Sequence, residues 1–202
     1  MEIVSPARLL QIDRADMATR FKSWKGQLLL DGGKLQGSFF HRTVVLICQH
    51  DPDGAFGLVL NRSSGGKVGE LLNEEMPETL QEQPVFLGGP VQPSALSYLH
   101  TDSLLLDANV IPNVNLGHSL ESLVEIASSF STSQQVRVFA GYAGWSPGQL
   151  DDELRRQAWL ACPASIDLVF HPQPEQLWPT ILRKKNWQCR LLTEAPEDPS
   201  WN

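Results

Sequence analysis

The sequence predicts a single α+β domain. Three observations carry this. Short β-like runs and amphipathic segments are interleaved without the regular strand–helix–strand alternation of a doubly wound fold. The 202 residues are 42% hydrophobic and 19% charged, an ordinary globular composition with length for one core rather than two. The 15 glycines and 14 prolines supply the turns that many short elements need.

Residues 1–25 read as an appended helix, with Ser5 as N-cap and Pro6 at the first helical position. Leu10, Met17, Phe21 and Trp24 fall on one of its faces, expected to dock on the domain. Residues 26–192 are the domain proper. Its first strand is 27–30. Residues 43–48 (TVVLIC) are apolar at successive positions, the pattern of a central strand buried on both faces. Asp51-Pro52-Asp53-Gly54 is turn chemistry, so 56–60 returns as the second arm of a hairpin. A short helix is expected over 68–73, and a strand over 84–87 ending at Gly88-Gly89-Pro90. A second hairpin is expected from 96–99 and 104–106. A helix follows over 120–130, with Leu120, Leu123, Val124 and Ala127 on one face. Then come a strand over 136–140, a helix over 148–160 and a strand over 166–170. Trp178, Ile181 and Leu182 mark a last helix, with Pro179 in its first turn. Residues 193–202 read as a loose acidic tail.

The formal charge is −7. Residues 51–150 hold 3 Lys/Arg and 11 Asp/Glu, net −8, a field that repels phosphate backbones. With no helix-turn-helix pattern and no basic recognition helix, direct DNA binding has the least support. No run of 18 or more apolar residues is present, and residues 1–10 lack the pattern of a secretory signal. No membrane association is expected. Cys48, Cys162 and Cys189 are scattered and odd in number. They are expected as reduced thiols of a cytoplasmic protein, with no metal set and no cofactor implied.

Gly144-Trp145-Ser146-Pro147-Gly148 matches G-x-S-x-G, the pattern of a nucleophile elbow. Pro147 argues against it. The residue after the nucleophile normally donates an oxyanion-hole N–H, and proline has none. Ser146 is expected instead to cap a helix starting near Pro147. The stretches 32–38 and 65–69 are rich in Gly and Lys but match no phosphate-binding pattern. His50, Asp51 and Asp53 lie at the hairpin turn without a metal-ligand spacing.

Three blocks, taken in order, resemble the YqgE/AlgH family. The first runs from Arg42 through TVVLIC, His50 and Gly54 to Gly57-Leu58-Val59-Leu60-Asn61-Arg62. The second is Val85-Phe86-Leu87-Gly88-Gly89-Pro90-Val91 with Leu99-His100. The third is Gly141-Tyr142-Ala143-Gly144-Trp145, Gly148-Gln149-Leu150, Glu153 and Ala158-Trp159. The resemblance covers residues 26–190. It implies a compact domain whose forked, partly barrel-like, mostly antiparallel sheet is flanked by helices. It also implies a bacterial cytosolic protein of unsettled activity, one member being labelled a transcriptional regulator. The expected function is accordingly a non-enzymatic regulatory or interaction protein, monomeric or homodimeric, with an unknown protein or small-molecule partner. The alternative is a binder of a small anion or nucleotide-like ligand, or a hydrolase. Its cleft would gather Arg42, Asn61, Arg62, Gly88, Gly89, His100, Tyr142, Trp145 and Gln149, offering guanidinium, backbone N–H groups and an aromatic wall. No catalytic residue is assigned.

Overall fold

The computed structural model describes residues 21–72, 76–101, 109–128, 134–185 and 187–194. Strands Gln27–Asp31 (β1), Val44–Asp51 (β2) and Gly54–Val59 (β3) form an antiparallel meander. The expected hairpin turn is present. Asp51 pairs with Gly54 across Pro52-Asp53, and the Asp53 N–H donates to the Asp51 carboxylate at 2.8 Å. Ser63–Lys67 (β4) leads into the short helix Val68–Leu71 (α1), followed by Glu78–Gln81 (α2) and Pro84–Leu87 (β5). Val91–Thr101 (β6), Val114–Gly117 (β7), helix Leu120–Ser128 (α3) and Val136–Trp145 (β8) come next. The chain continues through Gln149–Arg155 (α4), Trp159–Pro163 (β9), Ile166–Val169 (α5), Leu177–Lys185 (α6) and Trp187–Glu194 (α7).

These elements make a single domain around one open, mixed sheet with strand order β4-β5-β8-β3-β2-β1-β9. The β5–β8 pair is parallel and all the others are antiparallel. The sheet forks on β8. Residues 138–140 lie between β5 and β6, whereas 143–145 pair with β3. Gly141 sits at the fork with φ +71, and a Cβ there would come within 2.6 Å of the Gly89 carbonyl oxygen. Only glycine takes that conformation at that spacing without strain.

Alternation along the strands divides the core, because successive side chains point to opposite faces. Leu28, Leu30, Leu46, Leu58 and Leu60 pack on one face with Leu177, Trp178, Ile181 and Leu182. Leu29, Val45, Ile47 and Val59 pack on the other with Trp145, Leu150 and Trp159. β2 is therefore buried on both sides, as its composition predicts. Each such Leu removed from water contributes about 1.5–3 kcal/mol. A third cluster joins Val68, Leu80, Val85, Tyr98, Leu123 and Val138 beneath α1, α2 and α3.

Several expectations are corrected, and the second hairpin lies in part outside the described residues. The helix expected over 148–160 stops at Arg155, since Gln157 takes φ 57. The next residues leave as β9 to pair with β1, Leu28 facing Cys162 and Asp31 facing Trp159. An unpaired strand edge outcompetes the helical stripe. Residues 166–169 form α5 rather than a strand. A run this short is ambiguous by periodicity alone, and the β1 edge is already filled by β9. β6 pairs with β7 over 98–101, while residues 104–106, its expected partner, lie outside the described residues. Ser146 does not cap α4. Gly148 holds the N-cap position with φ 73. In the N-terminal extension, residues 21–24 are irregular rather than helical, while 1–20 lie outside the described residues; of the tail expected over 193–202, residues 193–194 belong to α7 and the rest lie outside the described residues. Pro179 does sit in the first turn of α6. Among the described residues no helix is long and apolar enough to cross a membrane.

Candidate functional site

The end of β1 builds a polar clamp around the 32–43 loop. Asp31 is fully buried. Its Oδ1 accepts the N–H groups of Gly33 at 2.8 Å and Leu35 at 3.3 Å. Its Oδ2 accepts the Arg42 N–H at 2.8 Å. Arg42 is held at φ 55, a left-handed conformation that costs a residue with a Cβ about 1–2 kcal/mol. Asn61 completes the clamp. Its Oδ1 accepts the Val44 N–H at 2.8 Å and its Nδ2 donates to the Arg42 carbonyl at 2.9 Å. Arg62 donates to the His41 carbonyl at 3.1 Å and lies 4.9 Å over the Phe39 ring. The Arg42 guanidinium lies 5.4 Å over Trp178. Arg42, Asn61 and Arg62 thus come together, and Asn61 and Arg62 hold loop backbone. Asp31 escaped sequence reasoning. Its signal was an acid at a strand end followed by two glycines, which is Asx-turn chemistry.

The other candidate residues lie elsewhere. The Gly88 N–H donates to the Ala140 carbonyl and its carbonyl accepts the Val59 N–H, both at 2.9 Å. A Cβ on Gly89 would lie 2.0 Å from the Tyr142 carbonyl carbon, so this glycine permits a close strand crossing. Tyr142 stacks on Phe56 at 4.9 Å. His100 pairs opposite Val136 at the start of β8, its ring tilted against Tyr98 at 5.8 Å. Trp145 and Trp159 each donate an indole N–H to Glu153 Oε2 at 2.8 Å. Gln149 donates to Glu153 Oε1 at 2.9 Å and accepts the Ser146 N–H at 3.0 Å. Trp145 pairs opposite Ala55. Its ring also stacks on Phe40 at 6.4 Å, and Phe40 meets Phe39, the ring that carries Arg62. Gly88, Gly89 and Tyr142 thus meet at the fork of β8, Trp145 borders the clamp loop through Phe40, and His100 lies opposite Val136 at the start of β8.

The hairpin cluster also resolves. His50 has a side chain only 2% exposed. Its Nδ1 accepts the Trp24 N–H at 2.9 Å, and its Nε2 lies 3.6 Å from Asp151. Burial holds its pKa below 6.5 against the upward pull of Asp151 and Asp51. Asp151 also accepts the Trp24 indole N–H at 2.8 Å, which ties the chain before β1 to α4. Among the described residues no group of three or more His, Cys, Asp or Glu is arranged to hold a metal.

A cavity of about 330 Å³ opens beside Asn61 and is lined by Arg137, Phe86, Gln83, His171 and Glu175. Sequence reasoning passed over Arg137, the single cation within the apolar run of β8. It is 8% exposed and donates to the carbonyls of Leu60 at 3.3 Å, Val169 at 2.8 Å and His171 at 2.9 Å.

A single domain with an open, mixed and forked sheet flanked by helices defines an α+β protein whose comparisons agree. A family profile described as AlgH-like (DUF179) matches residues 28–190, and the chain belongs to that family. A UPF0301 protein of Chlorobaculum parvum is 35% identical over 182 residues, covering 88% of this chain and 95% of the relative. A UPF0301 protein of Chlamydia pneumoniae is 32% identical over 176 residues, covering 86% and 93%. The solution structure of the AlgH protein from Pseudomonas aeruginosa superposes with a TM-score of 0.67 at 28% identity, covering 97% of this chain and 99% of that one. A crystal structure of a Corynebacterium diphtheriae protein gives a TM-score of 0.69 at 22% identity, covering 90% and 97%, and speaks for the fold alone.

Proposed function

We propose that the protein is a non-enzymatic regulatory or interaction protein of the cytoplasm, acting through a protein or small-molecule partner rather than through DNA. One observation supports this best. The polar side chains of Asn61, Arg62, Gln149 and Glu153, all in the family-like blocks, bind loop backbone or one another. The Ser146 N–H is engaged by Gln149, and Pro147 offers no oxyanion-hole donor. Burial pushes the thiols of Cys48 and Cys162 up, away from nucleophilic thiolate.

Assay of the purified full-length chain with chromogenic ester and phosphate substrates tests the reading. No turnover above buffer is expected, for the wild type and for Ser146→Ala alike. Turnover that Ser146→Ala or Cys48→Ser abolishes overturns it.

A further inference from the structure

Residues 51–150 hold eleven acids and three bases, Arg62, Lys67 and Arg137. Lys67 pairs with Glu82. Arg62 rests on Phe39. Arg137 is different, being 8% exposed with no carboxylate at ion-pairing distance among the described residues. A guanidinium has five N–H donors. Nη1 donates to the Leu60 and Val169 carbonyls and Nη2 donates once, to His171. That leaves Nε–H and one Nη2–H without a protein acceptor among the described residues. The guanidinium lies 4.7 Å over the Phe86 ring. Burial lowers its pKa to about 10, so it remains a cation at neutral pH.

Buried cations normally find an anion, because desolvation is costly and carbonyl dipoles offset it only in part. The space for one is present. Arg137 lines the 330 Å³ cavity and a neighbouring hollow of about 310 Å³, which shares Gln83 and Val136 with it. Phe86 and Pro84 give apolar wall, and His171, whose carbonyl Arg137 holds, lines the same cavity. Small-molecule sites combine this size and lining with a few fixed polar groups.

We propose that this cavity is a binding site for a small organic anion, a carboxylate or phosphate whose charged oxygens meet Arg137 and whose body lies against Phe86 and Pro84. Two N–H groups on one planar guanidinium suit such oxyanions bidentately. The proposal goes beyond the interaction reading and stands whether or not a protein partner exists. A guanidinium already anchored by three carbonyls needs no reorganisation when the anion arrives.

Titration of the full chain with benzoate and with phenyl phosphate, at constant low ionic strength, tests it by amide chemical-shift mapping. Saturable shifts centred on Ser63, Val136 and His171 are expected. Benzoate alone would assign carboxylates, phenyl phosphate alone phosphates, and either supports the site. Arg137→Lys should weaken binding about tenfold by losing the planar fork. Because Arg137 also holds three carbonyls, two exposed rim positions keep the test independent of folding. Glu175→Gln should tighten binding about 2- to 5-fold and Ser63→Glu should weaken it by a similar factor, the scale of a surface charge interaction. No saturable shift with either anion overturns the proposal. So does affinity indifferent to all three substitutions.

Discussion

Replacing Asp31 with alanine should cost this protein about 3 kcal/mol. The carboxylate is fully buried and accepts three backbone N–H groups, from Gly33, Leu35 and Arg42. A hydrogen bond to a charged group contributes about 1.5–3 kcal/mol. The loop is half-exposed, so water can replace part of what Gly33 and Leu35 lose. Release of Arg42 from φ 55 returns about 1–2 kcal/mol of strain. The net loss is about 2–4 kcal/mol, which lowers Tm by about 2–4 °C per kcal/mol in a domain of this length. Urea denaturation followed by tryptophan fluorescence measures it, with an unchanged m-value as the sign that both end states are preserved. Asn61→Ala tests the other half of the clamp, since Asn61 holds the carbonyl of the same Arg42. A double-mutant cycle should show a coupling of about 0.5–2 kcal/mol between Asp31 and Asn61. A loss below about 1 kcal/mol for Asp31→Ala, or additivity within about 0.4 kcal/mol, would refute the clamp.

The remaining expectations rest on other contacts. His50 should make stability depend on pH. Its pKa is lowered from 6.5, so the unfolded chain binds the proton more readily and the contribution is fully present above pH 6.5. It is lost as the pH falls through the folded value. A pH series on His50→Gln should be flatter than wild type below pH 6.5, and the Trp24 amide should lose exchange protection in acid. Gly89→Ala should cost more than about 3 kcal/mol or block folding, because its Cβ meets backbone of Tyr142 at 2.0 Å. Circular dichroism on heating reads this directly. Glu153→Ala should cost about 2–3 kcal/mol and change the emission of Trp145 and Trp159, which share its Oε2.

Local pattern carried the sequence reading wherever burial imposes a period. β2 shows apolar residues on both faces and is buried on both, and the hairpin turn follows from Pro52, Asp53 and Gly54. The pattern failed where distant chain decides. Residues 159–163 continue a helical stripe by spacing, yet the free edge of β1 recruits them as β9. Residues 166–169 have strand-like composition, yet β9 already fills the edge of β1 and they close into α5. The candidate site divided in the same way. Arg42, Asn61 and Arg62 were legible as neighbours because one hairpin joins them. Asp31 and Arg137 were not, since a lone charge in an apolar run shows its partners only after the sheet and α5 are assembled. The acidic stretch over 51–150 hid Arg137 further, as its three acceptors are carbonyls that no side-chain motif records.

The central claim is that Arg137, rather than the residues of the clamp, is the group that holds a ligand. Crystals of the full chain soaked in bromobenzoate, with data collected at the bromine absorption edge, test this most directly. An anomalous peak inside the cavity bordered by Phe86 and Glu175, with the carboxylate on the Arg137 guanidinium, is the predicted result. An ordered bromobenzoate beside Arg42 and Arg62, with the Arg137 cavity empty, would contradict it.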